Sequence, residues 1–147
     1  MSIDLGFTHI ALAATDLDAS IQFYEKYAGM KVVHDRPDIE NDGRVVWLSD
    51  GTRPFVIVLI KAKSADPILK PFAHLGIAVS SREEVDHFAD LARAEGVMVG
   101  EPIDEGPPVG YYIFLKDPDG HSLEISYGQD VTSAIAKAFQ KSGSEQS

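Results

Sequence analysis

A chain of 147 residues with 44% hydrophobic side chains is long enough for one ordinary domain, or for two half-size modules sharing a core. Its formal charge of −10 repels polyphosphate backbones and argues against nucleic acid as a partner, and the lack of cysteine excludes disulfides, thiolate metal sites and thiol nucleophiles. No apolar run approaches the ~20 residues needed to cross a bilayer, and Met1-Ser2-Ile3-Asp4 lacks the basic start of a secretion signal, so a soluble, cytoplasmic protein with no membrane partner is expected.

Phe7-Thr8-His9-Ile10-Ala11-Leu12-Ala13-Ala14 reads as a strand carrying one histidine. Thr15 to Ser20 supplies acidic N-cap candidates for a helix in which Ile21, Tyr24 and Tyr27 recur at helical spacing, with Gly29 placed to end it. Met30-Lys31-Val32-Val33 follows as a strand, and Pro37 to Gly43 is polar and turn-forming. Arg44 to Leu48 and Phe55 to Ile60 then form a hairpin across the Ser49 to Arg53 turn. The module is β-α-β-β-β, over about residues 5–61.

After a proline-bracketed connector, 62–71, the pattern repeats. Phe72-Ala73-His74-Leu75-Gly76-Ile77-Ala78-Val79 matches the first strand at the same offsets, so that His74 answers His9. Ser81-Arg82-Glu83-Glu84 is a capping box, Val85, Phe88 and Leu91 give an apolar stripe, and Gly96 ends the helix. Val97-Met98-Val99 is the next strand. Gly100 to Gly110, with three prolines and three glycines, is read as an irregular loop over a site. Tyr111 to Leu115, the Asp117-Pro118-Asp119-Gly120 turn and Ser122 to Tyr127 close module two, about 72–128. Asp130 caps a last helix, about 130–140, with Val131, Ile135, Ala138 and Phe139 on one face, and Lys141 to Ser147 should fray. Two units with matching punctuation check one another.

If the copies pair by pseudo-twofold symmetry, both histidines face one space, and Glu124 in Leu123-Glu124-Ile125 is the candidate carboxylate that completes a metal site. Alternation sets Ser122, Glu124 and Ser126 on one face of their strand, with Leu123 and Ile125 on the other. A carboxylate between two apolar neighbours is costly if it is buried without a partner.

On the Thr8-His9-Ile10 and Ala73-His74-Leu75 strands, the Asp18 to Gly29 helix with Phe23-Tyr24 inside it, and the Asp117-Pro118-Asp119-Gly120-His121-Ser122-Leu123-Glu124 segment, the chain resembles the vicinal oxygen chelate superfamily. That superfamily includes glyoxalase I, bleomycin-resistance and fosfomycin-resistance proteins, methylmalonyl-CoA epimerase and extradiol dioxygenases. The resemblance covers about residues 5 to 128 and implies an α+β fold, two βαβββ modules forming a half-barrel cleft. It further implies His9, His74 and Glu124 as ligands of a divalent metal ion (Mn, Fe, Ni, Zn or Mg), a small substrate that chelates through two oxygens, and a homodimer, with the site formed within a chain or across it. The fourth ligand position of the family falls near Val58, where every side chain from Phe55 to Ile60 is apolar.

Within the superfamily, the missing fourth ligand argues against glyoxalase I or epimerase chemistry of the usual form. Ring-cleaving dioxygenases carry a tyrosine where this chain has Phe114, and a histidine several residues earlier that this chain lacks. Fosfomycin-resistance enzymes also have that tyrosine, and a threonine where this chain has Ala11. Tyr112, on the same strand face as Phe114, is the alternative acid, and Glu124 is the other group placed to move a proton. Trp47, Val58 and Phe114 are read as walls of the substrate cleft. The expectation is a glyoxalase-like metalloenzyme. The alternatives are a metal-independent, bleomycin-resistance-like binding protein and an extradiol dioxygenase. His121 is read as structural or surface, His87 as solvent-facing, and His34 as a lesser candidate for the cleft.

Overall fold

The computed structural model describes residues 4–39, 43–70 and 72–144 and turns the doubled pattern into two four-stranded mixed sheets with three helices. The elements are β1 (His9–Ala14), α1 (Leu17–Ala28), β2 (Lys31–Asp38), β3 (Gly43–Ser49), β4 (Val56–Lys61), β5 (Leu75–Ala78), α2 (Arg82–Glu95), β6 (Met98–Asp104), β7 (Tyr111–Lys116), β8 (Ser122–Tyr127) and α3 (Val131–Ser144). This is the expected β-α-β-β-β order, written twice. Contacts divide the chain into one unit of Met1–His74 with Lys116–Ser122, and another of Leu75–Leu115 with Leu123–Ser147.

In the first unit the strand order is β1-β4-β3-β2, with β1 parallel to β4 and the other pairs antiparallel. One face of this sheet is apolar and closed: Leu12, Ala14, Val46, Leu48, Ile57 and Leu59 are all buried. Helix α1 buries Ile21, Tyr24 and Tyr27, the stripe its spacing predicts, together with Leu17 and Phe23. Asp16 caps its start by accepting from Ala19 N–H, and Gly29 ends it in the left-handed region. At ~1.5–3 kcal/mol for each large apolar side chain buried, this face supplies much of what holds the unit together. The opposite face carries His9, Ala11, Val56, Val58 and Trp47 and is half open.

Strand β2 corrects one expectation. The sequence reading ends this strand at Val33 and makes Pro37 a turn residue, whereas the strand runs through Pro37 to Asp38. It lies at the sheet edge, the place where a residue without an N–H is tolerated in a ladder. The rest of the expected turn, residues 40–42, lies outside the described residues.

The second unit has strand order β5-β8-β7-β6, with β5 parallel to β8. Helix α2 is capped by Ser81, whose side chain accepts from Glu84 N–H at 3.1 Å. Its fully buried residues are Val85, Ala89 and Ala92, with Phe88 and Leu91 only half-buried, so the small side chains sit deepest. Strand β6 continues to Asp104 through an irregular register between Val99 and Ile103, so the stretch read as loop from Gly100 is strand for its first part. Helix α3 starts at Val131, with Asp130 Oδ1 accepting from Ser133 N–H at 3.3 Å, and continues to Ser144 where fraying was expected. The last three residues of that stretch are outside the description. Among the described residues no helix is long and apolar enough to cross a membrane.

Candidate functional site

His9 opens β1 on the half-open face of the first sheet, and its Nδ1 lies 2.9 Å from the hydroxyl of Thr8. In the same sheet β1 pairs with β4 and β4 with β3, so that Ala11, Val58 and Trp47 form one rung of side chains. Val56 is the direct neighbour of His9. Trp47 stays 38% exposed and leans on the ring of His34, their centroids 4.6 Å apart. His34 therefore belongs to the Trp47 face.

His74 immediately precedes β5 and is exposed. Its Nδ1 lies 2.6 Å from the carbonyl oxygen of Phe72. A carbonyl oxygen can only accept, so Nδ1 is the donor in this contact.

Glu124 sits in β8 and is 7% exposed, a buried carboxylate between the fully buried Leu123 and Ile125. In the register of β5 and β8 it lies opposite Gly76, and a Cβ placed on Gly76 would come within 3.8 Å of Glu124 Oε2. The other oxygen, Oε1, accepts from the side-chain amide of Gln129 at 3.0 Å. Tyr112 and Phe114, two apart on β7, meet edge to face with centroids 5.6 Å apart. Burial lifts the Tyr112 phenol above its ordinary range, followed by the charge of Glu105, its hydrogen bond to that carboxylate, and the charge of Glu124. Tyr112 is thus a protonated donor at neutral pH.

The second unit therefore gathers Glu124, Tyr112 and Phe114, and the first gathers His9, Val58 and Trp47. Among the described residues of one chain, no three His, Asp or Glu side chains form a cluster able to hold an ion. A hollow of about 370 Å³ at the start of α1, lined by Thr15, Asp18, Arg44 and Lys61, contains none of the expected site residues. Two participants escaped the sequence reading. Gln129 follows the last strand with no periodic signal to mark it, and Glu105 lies in the stretch that reads as an irregular loop.

The Asp117-Pro118-Asp119-Gly120 turn is structural. Asp117, 4% exposed, accepts from the Tyr24 hydroxyl at 2.8 Å and from the backbone N–H groups of Asp119 and His121, both at 2.9 Å. Asp119 in turn accepts from the Thr15 hydroxyl at 2.6 Å and from Thr15 N–H. His121 is 1% exposed, so of the two expected settings for it the interior one holds.

A profile of the Glyoxalase/Bleomycin resistance protein/Dioxygenase superfamily matches residues 6–125. The chain is 42% identical over 125 residues to an uncharacterised protein of Pseudomonas aeruginosa, covering 83% of this chain and 88% of that one. It is 32% identical over 126 residues to a putative lactoylglutathione lyase of Brassica oleracea, covering 81% of this chain, which spans only 43% of that longer protein. The fold matches that of a fosfomycin resistance protein, FosX, from Listeria monocytogenes, solved with Mn(II) and 1S,2S-dihydroxypropylphosphonic acid. That match has a TM-score of 0.67 and 22% identity, over 90% of this chain and 99% of that one. With the repeated module, the sheet order and the family profile in agreement, the chain belongs to the Glyoxalase/Bleomycin resistance protein/Dioxygenase superfamily.

Proposed function

We propose that this protein is a glyoxalase-like metalloenzyme in which His9, His74 and Glu124 hold a divalent ion, and that its substrate is a small molecule with two neighbouring oxygens. The observation that carries this reading is the contact of His74 Nδ1 with the Phe72 carbonyl at 2.6 Å, the kind of backbone tie that orients a metal-binding imidazole. The donor set fits such an ion. Two neutral imidazoles and one carboxylate suit Mn, Fe, Ni, Zn or Mg and leave coordination positions open. When bound, the ion would polarise a substrate carbonyl or stabilise an adjacent oxyanion.

The chain's own groups supply the remainder. Tyr112, kept protonated by burial and by Glu105, is placed as a proton donor at Oη. Glu124, one of the residues that would hold the ion, is also the carboxylate placed to take a proton. Trp47 and Val58 on the first sheet, and Phe114 on the second, are the apolar walls that hold substrate and exclude water.

The site is read as shared by two copies of the chain. Phe7 and Phe72, each two residues before a ligand histidine, are 95% and 90% exposed, and apolar surface at such positions suits a partner. Complementation tests this. His9→Ala and Glu124→Gln, each unable to hold metal alone, should on mixing and subunit exchange regain up to about a quarter of the wild-type sites, because half the dimers carry one intact set. No recovery after demonstrated exchange would place the three ligands in one chain.

A metal-independent binding protein is the second reading, favoured by the wholly apolar rung around Val58. It predicts no ion uptake with any of the five metals supplied.

A further inference from the structure

Strand β2 breaks step with β3. Lys31 pairs with Ser49 and Val32 with Leu48, and the register then skips Val33, so that His34 meets Trp47, Asp35 meets Val46 and Arg36 meets Val45. In unbroken alternation His34 would face Val46, in the fully buried apolar layer. The extra residue turns its imidazole to the half-open face instead, against the ring of Trp47 at 4.6 Å between centroids.

The same shift sorts the charges of β2. Lys31, His34 and Arg36 share the Trp47 face, whereas Asp35 takes the other, where Arg44 holds both of its oxygens at 2.8 and 2.5 Å. Asp38, opposite Gly43, is the first acid on the cationic side, one rung past Arg36. Among the described residues, no carboxylate forms an ion pair with Lys31 or Arg36, and both are exposed. Their partners step along β3 two residues at a time, which spaces the three groups at about 7 Å along the sheet edge. A chain of net charge −10 thus carries a positive stripe beside its one tryptophan.

We propose that Lys31, His34 and Arg36 bind an anionic group, a carboxylate or a phosphate, on a substrate whose apolar part lies on Trp47. This rests on the reading of the Trp47 face as a substrate wall, and adds to it a charge that the substrate carries. His34 supplies an N–H donor, Arg36 a planar fork that matches either oxyanion, and Lys31 a mobile point charge.

Trp47 is the only tryptophan in the chain, so its fluorescence reports on this face alone. The full-length, metal-free protein is titrated at constant ionic strength with inorganic phosphate, with succinate and with neutral succinamide. Phosphate, succinate or both should give a saturable change, and succinamide none. A response to phosphate alone marks a phosphorylated substrate, and one to succinate alone a carboxylic acid. Affinity should fall about 2–5-fold in Arg36→Gln and in His34→Gln, and about tenfold in Lys31→Gln combined with Arg36→Gln. Lys31 and Arg36 are exposed, so these changes leave the fold intact. No saturable response to either anion, an equal response to succinamide, or wild-type affinity in the double variant overturns the proposal. Metal uptake is scored separately: uptake without anion binding removes this site and leaves the metal reading, and anion binding without uptake does the reverse.

Discussion

The hydroxyl of Tyr24 donates to Oδ2 of Asp117 at 2.8 Å across 93 positions of sequence, both side chains almost wholly buried. The contact ties helix α1 to the turn before β8, and Asp117 spends its other oxygen on the N–H groups of Asp119 and His121. Burial, followed by the nearby Asp117 charge, drives the Tyr24 phenol far above its ordinary range, so it remains a donor at every accessible pH.

Tyr24→Phe keeps the ring but leaves one carboxylate oxygen of Asp117 without its donor. Loss of one partner of a buried charged group should cost about 1–3 kcal/mol, measured by urea denaturation. A cost near zero would mean that the turn relaxes freely and that the contact is incidental.

The Gly110 contact predicts a contrast between two glycines. At Gly110, φ is +93° and an added Cβ meets the Tyr127 carbonyl, whereas at Gly51, φ is +75° and nothing lies within 4 Å. Gly110→Ala should therefore destabilise by about 2–4 kcal/mol, strain and overpacking together, against about 1 kcal/mol for Gly51→Ala. Equal costs would mean that the backbone at Tyr127 gives way freely to a side chain at position 110.

Glu84 gives a pH prediction of defined sign. Its carboxylate accepts from the Ser80 hydroxyl at 2.8 Å and Ser80 N–H at 2.6 Å, and these bonds hold it below the ordinary glutamate range. A depressed folded-state value means that the contribution is complete above the unfolded value and is lost as pH falls through the folded one. Denaturation midpoints of wild type and Glu84→Gln should accordingly differ at about pH 7 and converge near pH 3. A gap that widens on acidification would contradict the assignment.

These residues also show which parts of the fold were legible. Helix ends at Gly29 and Gly96 and strand β8 follow from local punctuation and alternation, signals that act over a few residues and need no tertiary partner. Pro37 was misread because its tolerance depends on β2 being an edge strand, a property of sheet order. The depth of Ala89 and Ala92, greater than that of Phe88 and Leu91, depends on how closely α2 approaches its sheet. Of the proposed site, the two histidines are marked by the repeat and Glu124 by its place between two apolar neighbours on one strand. The hydrogen bond from Gln129 to Glu124 could not be read in this way, because it joins a residue beyond the strand end to one inside it and no spacing records it.

The central claim is a divalent ion held by two imidazoles and one carboxylate, and metal analysis of purified protein tests it most directly. Wild type loaded with Mn, Fe, Ni, Zn or Mg and freed of excess ion should retain about one equivalent of at least one metal per chain, and His74→Ala should retain almost none while still folded. A wild-type protein that takes up none of the five, or a His74→Ala variant that keeps its full equivalent, would contradict it.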